Sequence, residues 1–272
     1  MTFREKVIEF GKGGALSGML TIPTAGDARA PGLALYNAGI VHRIGPHRLN
    51  VKVARALAAR GVASLRFDLS GLGDSRPAAG GNEAQATLDI GAALDELGRA
   101  SGASRFVLFG LCSGADNAYR AALADPRIAG LALVDPYAYE NRRAKIERAA
   151  MKALDLNRWK AALSRAAAPP HPVGEPREQA DSSRPHPPLA EFGADLEQLT
   201  ARGVEILMIY TRFVEEQLTR PEHFFDTFSA FDFKDRLEVR VESGVDHTHT
   251  ELIAQAALIE RLAAFIGRLS AA

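Results

Sequence analysis

The stretch Phe106-Val-Leu-Phe-Gly-Leu-Cys-Ser-Gly-Ala115 decides the fold of this chain. It begins as a continuously apolar segment, which is typical of a strand buried on both faces of a parallel sheet. Glycines two residues before and two residues after Cys112 allow a sharp turn from this strand into a helix. Such a turn lifts the Cys112 side chain above the sheet, at a helix N-terminus whose partial positive charge favours a thiolate.

Cys112 is the only cysteine in 272 residues, so we predict neither an internal disulfide nor a Cys-x-x-Cys metal or redox site. We interpret it as a nucleophile. Ser113 is the second candidate, but an elbow centred on it would place glycine at positions 111 and 115, which are leucine and alanine. Because free cysteines are common as small buried hydrophobes, an elbow without catalytic function is the third interpretation.

Strand-like and helix-like segments alternate on both sides of this stretch. Residues 7–10 and 16–22 flank a glycine turn and predict an antiparallel hairpin. Further strands are predicted at residues 32–36, 62–67, 106–109, 128–134, 204–210 and 237–241. Helices are predicted at residues 49–60, 88–100, 113–123, 191–201 and 251–269. This alternation predicts an α/β fold with a doubly wound, mostly parallel sheet.

The alternation breaks between residues 141 and 190. The first part, to about residue 167, is rich in Arg, Lys and Ala and indicates one or two helices. Seven of the 14 prolines lie between residues 169 and 188, which predicts an extended or mobile loop. We therefore predict a core of residues 1–140 and 191–272 and a small helical cap inserted at residues 141–190.

Composition limits the partners. The chain has 33 basic and 33 acidic residues, so we expect neither nucleic acid nor an anionic membrane as its main partner. The N-terminus lacks the pattern of a signal peptide, and no apolar stretch is as long as a membrane span. We expect a cytoplasmic protein that is a monomer or a homodimer.

A second catalytic signal lies between the last predicted strand and the last predicted helix, in Val-Glu-Ser-Gly-Val-Asp-His-Thr-His-Thr at residues 241–250. We predict His247 as the general base that takes the thiol proton and later protonates the leaving group. The pair His247 and His249 is a weak metal signal, because no matching ligand cluster accompanies it. We expect Asp246 to shape the loop.

The acid that orients His247 is expected after the strand at residues 204–210. Glu215 is favoured for its distance from the strand end, and the adjacent Glu216 is the alternative. Asp135, which ends the preceding strand, is a further option. Two solvated glutamates with no catalytic role are the competing interpretation.

An oxyanion hole uses two backbone N–H groups. We predict one from Ser113, directly after the nucleophile. The other is predicted from Ile40, in the loop after residues 32–36, because Gly39 lets the backbone come close.

The same loop carries the only local basic cluster near the predicted site. It is predicted to hold a carboxylate or phosphate of the substrate, such as a pantetheine arm, or else to pair with Asp68 or Asp74 and pin the loop. The glycine-rich turn at residues 68–75 lacks the patterns of nucleotide-binding loops, so we predict no cofactor and no metal. The predicted substrate-binding residues are Arg43, His47 and Arg48, with His42 beside them.

Together, these motifs resemble the α/β-hydrolase superfamily over essentially the whole chain, with a cysteine at the nucleophile elbow. They are Asn37-Ala-Gly, Arg66-Phe-Asp-Leu-Ser-Gly-Leu-Gly-Asp-Ser75, Gly110-Leu-Cys-Ser-Gly114 and Asp246-His-Thr. A weaker resemblance is to hydrolases of the exosortase A system, which also pair an Arg-x-Gly-x-His-Arg loop with a Gly-Leu-Cys elbow. Dienelactone hydrolases and polyhydroxyalkanoate synthases are similar in having cysteine at the elbow.

A thiol nucleophile gives a thioester intermediate, which suits activated acyl donors. We therefore expect a hydrolase of an ester, lactone or thioester that acts on a small acyl substrate, free or bound to CoA or a carrier protein. An acyltransferase with the same residues and a non-catalytic binding member of the fold are the alternatives.

Overall fold

The computed structural model describes residues 2–25, 30–78, 83–140, 143–147, 185–215 and 217–271. Within these residues, eight strands form one sheet in the order β1-β2-β4-β3-β5-β6-β7-β8. The strands are β1 (Phe3–Phe10), β2 (Leu16–Pro23), β3 (Gly32–Leu35), β4 (Ser64–Phe67), β5 (Phe106–Leu111), β6 (Ile128–Val134), β7 (Glu205–Thr211) and β8 (Leu237–Glu242). The helices are α1 (Leu49–Ala58), α2 (Glu83–Ser101), α3 (Ser113–Ala124), α4 (Leu189–Ala201), α5 (Pro221–Thr227) and α6 (Leu252–Ala271).

The sheet is antiparallel at one edge and parallel in the rest. The β1-β2 hairpin joins β4 in antiparallel orientation. From β4 to β8 every neighbouring pair is parallel. The predicted α/β fold with its N-terminal hairpin is therefore confirmed.

The central strands are apolar on both faces because helices cover both. Strand β5 places Phe106 and Leu108 in one hydrophobic core and Val107, Phe109 and Leu111 in the other. The first core is completed by α2, α3, α4 and α5, and the second by α1 and α6. This alternation explains why the sequence shows a continuous apolar run here, with no polar face.

The strand order creates a crevice beside β5. Strand β4, which follows β3 in the chain, pairs with one edge of β3, and β5 pairs with the other edge. The helices that follow β3 and β5, α1 and α3, lie on opposite faces of the sheet. The loops after these two strands therefore separate at the carboxyl edge, which is where open α/β sheets bind ligands.

The predicted cap falls largely outside the described residues, which include only residues 143–147, in helical conformation, and 185–190 of that segment. The cap stays a prediction. None of the helices in the described part of the chain is long and apolar enough to cross a membrane.

Candidate active site

Cys112 connects β5 to α3 in a strained conformation. Its backbone has φ 56° and ψ −124°, a region that residues other than glycine rarely occupy. The Cys112 N–H donates to the Val134 carbonyl at 2.9 Å, and its own carbonyl accepts from the Ala115 N–H at 2.8 Å. These bonds hold the turn between the end of β6 and the first turn of α3. Backbone strain at such a position is a frequent property of functional residues.

Close backbone contacts explain both glycines of the elbow. A Cβ atom on Gly110 would lie 2.3 Å from the Gly114 carbonyl oxygen, and one on Gly114 would lie 2.8 Å from the Asn37 carbonyl oxygen. The Tyr36 hydroxyl, at the end of β3, donates to the Gly114 carbonyl at 3.0 Å. The turn therefore closes only with glycine at 110 and 114, which is the spacing that singles out Cys112.

His247 lies between Cys112 and a buried carboxylate. Its Nδ1 is 2.6 Å from Asp135 Oδ2, and it is hydrogen-bonded to Cys112. Phe213 stacks on the imidazole with ring centroids 4.0 Å apart. Burial lowers the pKa of His247, but the hydrogen bonds and charges of Asp135 and Cys112 outweigh it and raise this pKa to about 9. The imidazole is thus held as a cation beside the sulfur at neutral pH.

Asp135 is fully buried directly after β6 and is fixed by the end of β7. Its Oδ1 accepts the Thr211 N–H at 2.7 Å, and its Oδ2 accepts the Thr211 hydroxyl at 2.6 Å. Its backbone, at φ 47°, donates to the Ile209 carbonyl at 2.8 Å. The carboxylate therefore has a fixed orientation in which Oδ2 faces His247.

The prediction that Glu215 orients His247 is corrected by this geometry. Glu215 is exposed and follows the 3₁₀ turn Arg212–Val214, whereas the carboxylate bonded to His247 is Asp135. Glu216 lies outside the described residues. The sequence signal for Asp135 is an acidic residue placed directly at the end of a buried strand.

Asp246 shapes the loop that carries His247. Its carboxylate accepts the Thr248 hydroxyl at 2.7 Å and the Thr250 N–H and hydroxyl at 2.9 Å each. Burial raises the pKa of Asp246, but these bonds lower it to about 2. His249 is fully buried, and burial lowers its pKa. The loop is therefore anchored on both sides of His247.

The loop after β3 contacts the elbow through Gly39. The Gly39 N–H donates to Ser113 Oγ at 2.8 Å. A turn closed by a 3.0 Å bond from the Val41 N–H to the Ala38 carbonyl sets this direction, and the Ile40 side chain is 89% exposed. The Ile40 N–H as the second oxyanion donor stays a prediction.

Arg43 pins this loop to the turn after β4. Its N–H donates to Asp68 Oδ1 at 2.7 Å, and its guanidinium pairs with Asp68 and Asp74. Asn37 Nδ2 also donates to Asp68 Oδ1, at 2.8 Å. His42, Asp68 and Asp74 are close enough together to suggest a cation site, but the Arg43 guanidinium already supplies the positive charge there. Arg43 was predicted either to bind an anionic group of the substrate or to pair with Asp68 or Asp74, and this geometry matches the pairing.

The other two predicted substrate-binding residues stay at the surface. His47 and Arg48 are exposed and adopt positive φ angles of 48° and 62°. His47 Nε2 lies 3.1 Å from the Thr250 hydroxyl and so joins this loop to the His247 loop.

A family model described as serine aminopeptidase, S33 matches residues 39–205, more than half of the chain. The chain belongs to this family. It is therefore an enzyme of the α/β-hydrolase superfamily, as its motifs predict. The S33 match contains the elbow and Asp135 and ends before His247. The family takes its name from serine, whereas the elbow here carries Cys112.

Solved structures with the same fold cover nearly the whole chain. An esterase from Pyrococcus furiosus is 16% identical with a TM-score of 0.61, covering 98% of this chain and 91% of its own. A Thermus thermophilus protein, TT1662, is 20% identical with a TM-score of 0.57 over all of both chains. The esterase domain of a Rhodothermus marinus protein is 16% identical with a TM-score of 0.57, covering 98% of each chain. No curated protein matches the sequence.

Proposed function

We propose that this S33-family enzyme hydrolyses an ester, lactone or thioester through an acyl intermediate on Cys112, with His247 as general base and Asp135 as its orienting acid. One observation carries the proposal: the hydrogen-bonded series of Cys112, His247 and Asp135 at the carboxyl edge of the sheet. A nucleophile, a base and a group that orients the base are the parts that acyl transfer uses.

Acylation begins with the Cys112 sulfur and a charged His247. The sulfur attacks the substrate carbonyl carbon and forms a C–S bond, while the thiol proton resides on the imidazole nitrogen that faces it. Collapse of the tetrahedral intermediate breaks the bond to the leaving alcohol or thiol, which takes that proton from His247. Asp135, bonded to the other nitrogen, holds the ring in place and stabilises its charge.

Deacylation reverses the proton transfer. A water molecule gives its proton to His247 and attacks the thioester, and the Cys112 sulfur leaves as the acid is released. The free Cys112 sulfur is one of the groups that raise the pKa of His247. Because acylation removes the charge of that sulfur, the neutral imidazole becomes more available for the step in which it acts as a base.

Cys112 is preferred to Ser113 as the nucleophile. His247 is hydrogen-bonded to Cys112, whereas the Ser113 hydroxyl accepts from Gly39. A thioester intermediate is itself an activated acyl group, so a thiol nucleophile suits substrates of comparable activation, such as thioesters and lactones. We place anionic groups of the substrate, such as the phosphates of a CoA thioester, at the exposed Arg48 and His47, because Arg43 is already paired.

The test is the intact mass of the protein after incubation with a panel of acyl thioesters, lactones and activated esters. We expect an acyl adduct on the wild type and on Ser113→Ala, none on Cys112→Ala, and decay of the adduct in water. Decay only after addition of an amine or alcohol would make the protein an acyltransferase. An adduct on Cys112→Ala that is lost in Ser113→Ala would contradict the cysteine mechanism.

A further inference from the structure

The oxyanion hole of this chain has an unusual feature at its loop side. The N–H that the β3 loop directs at the elbow, that of Gly39, already donates to the Ser113 hydroxyl at 2.8 Å. Ser113 is also the first residue of α3, where backbone N–H groups have no partner within the helix. One residue next to the nucleophile therefore presents two hydrogen-bonding groups, its backbone N–H and its hydroxyl.

The hydrogen bond from Gly39 leaves the Ser113 hydroxyl able to donate. A serine hydroxyl has one proton and two lone pairs, and the Gly39 N–H engages a lone pair. Hydrogen bonds in series polarise one another, so an O–H group whose oxygen accepts a bond is a stronger donor. Ser113 directly follows Cys112 and is only partly buried, so its side chain is accessible from outside the elbow.

We propose that the Ser113 hydroxyl, polarised by the Gly39 N–H, donates a hydrogen bond to the oxyanion that forms on Cys112. In this arrangement the Ser113 backbone N–H is one donor, and its hydroxyl replaces a direct N–H from the loop as the other. The inference rests on the proposed acyl-enzyme chemistry. The competing arrangement has the hydroxyl rotate away so that the Gly39 N–H binds the oxyanion directly, and it makes the opposite prediction for removal of the hydroxyl.

The test compares Ser113→Ala with Ser113→Thr, which keeps a hydroxyl at the same atom. For a substrate that acylates the wild type, we expect Ser113→Ala to lower the acylation rate about 100-fold, as loss of one oxyanion donor does elsewhere. Ser113→Thr should recover most of that loss. Iodoacetamide alkylates Cys112 without forming an oxyanion, so its rate should change less than about twofold in either variant.

A second readout separates catalysis from support of the fold. A substrate aldehyde adds to a thiol and forms a tetrahedral oxyanion or its hydroxyl, and it should bind Ser113→Ala about 100-fold more weakly than the wild type. Acylation of Ser113→Ala at the wild-type rate or faster would favour direct binding by Gly39 and overturn the inference. Equal losses in acylation and alkylation would also overturn it, because they would assign the hydroxyl to the shape of the elbow.

Failure of the proposed function is distinguishable from failure of this inference. If the wild-type protein is alkylated at Cys112 but takes no acyl group from any donor, the acyl-enzyme mechanism fails and the role of Ser113 fails with it. If the wild type and Ser113→Ala acylate equally well, only the role of Ser113 fails.

Discussion

Asp68 and Asp135 each lie at the carboxyl end of a strand of the sheet, but they bind different partners. Each directly follows a strand, β4 or β6, and each is fully buried. Asp68 pairs with the guanidinium of Arg43, whose planar set of donors holds a carboxylate in place. Asp135 pairs with His247, which can release and regain a proton. The two carboxylates therefore differ in their partners: Asp68 holds a loop, and Asp135 orients the imidazole that we propose as the general base.

The two carboxylates also differ in the other hydrogen bonds that they accept. Asp68 also accepts from the Asn37 amide and the Asp74 N–H, so its bonds join the loop after β3 to the turn that follows β4. Asp135 takes its supporting bonds from the end of β7, through Thr211. The oxygens of Asp68 thus connect two loops, while those of Asp135 are aimed by a neighbouring strand.

The largest expected effect comes from Asp135→Asn. This change keeps the shape of the side chain but removes the charge that holds His247 as a cation. By analogy with other triads, we expect kcat to fall roughly 10³- to 10⁴-fold. Glu215→Gln is the matched control and should leave kcat within about twofold, since surface changes have small effects. Steady-state kinetics on a thioester measures both, and a larger loss in Glu215→Gln would restore the glutamate as the acid.

The second prediction concerns the structural carboxylate. Arg43→Met leaves Asp68 buried with its guanidinium partner removed, and breaking such a pair costs about 3 to 5 kcal/mol in the free energy of unfolding. Arg48→Met, in the same loop at an exposed position, should change it by less than about 0.5 kcal/mol. Urea denaturation of both variants checks this. Equal stabilities would show that Asp68 does not depend on Arg43.

The third prediction concerns the pH at which the His247 imidazole loses its proton. The folded-state pKa of His247 is about 9, above the ordinary value of 6.5. The protonated imidazole therefore stabilises the folded protein fully below pH 6.5, and this contribution is lost as the pH rises through 9. A Cys112 thiolate changes the unfolding free energy with pH in the opposite sense, so the titration is followed at the His247 ring itself. We expect an NMR titration of the His247 imidazole in the wild type to give a pKa of about 9. A pKa near the ordinary value of 6.5 would contradict the charged imidazole.

The smallest expected effect is a change in KM when Arg48, rather than Arg43, is replaced. Arg43 is engaged with Asp68, so of these two arginines we propose Arg48, beside His47, for an anionic substrate. For a CoA thioester that turns over, Arg48→Met should raise KM about threefold to tenfold at low salt, while KM for an uncharged ester stays unchanged. Equal changes for both substrates would remove Arg48 from phosphate recognition.

Much of the fold and of the candidate site can be predicted from the sequence. Continuous apolar strands, the glycines at 110 and 114 and the loop around His247 predict the fold and the nucleophile–base pair, because they depend on local packing and spacing. The acid is harder to predict, since the ends of β6 and β7 lie side by side and which carboxylate faces His247 depends on the bonds to Thr211. The bond from the Gly39 N–H to Ser113 depends on one turn in the loop after β3, a detail that the spacing of the sequence does not predict.

The rate of Cys112 alkylation by iodoacetamide as a function of pH tests the triad most directly, because Cys112 is the only cysteine. If Asp135 holds His247 as a cation beside the sulfur, the wild-type rate at pH 6 should be within about threefold of the rate at pH 8. In Asp135→Asn the rate at pH 6 should fall well below the rate at pH 8. A wild-type rate that rises about tenfold per pH unit up to pH 8.5, as for a free thiol, would contradict the account, and so would identical profiles for the two proteins.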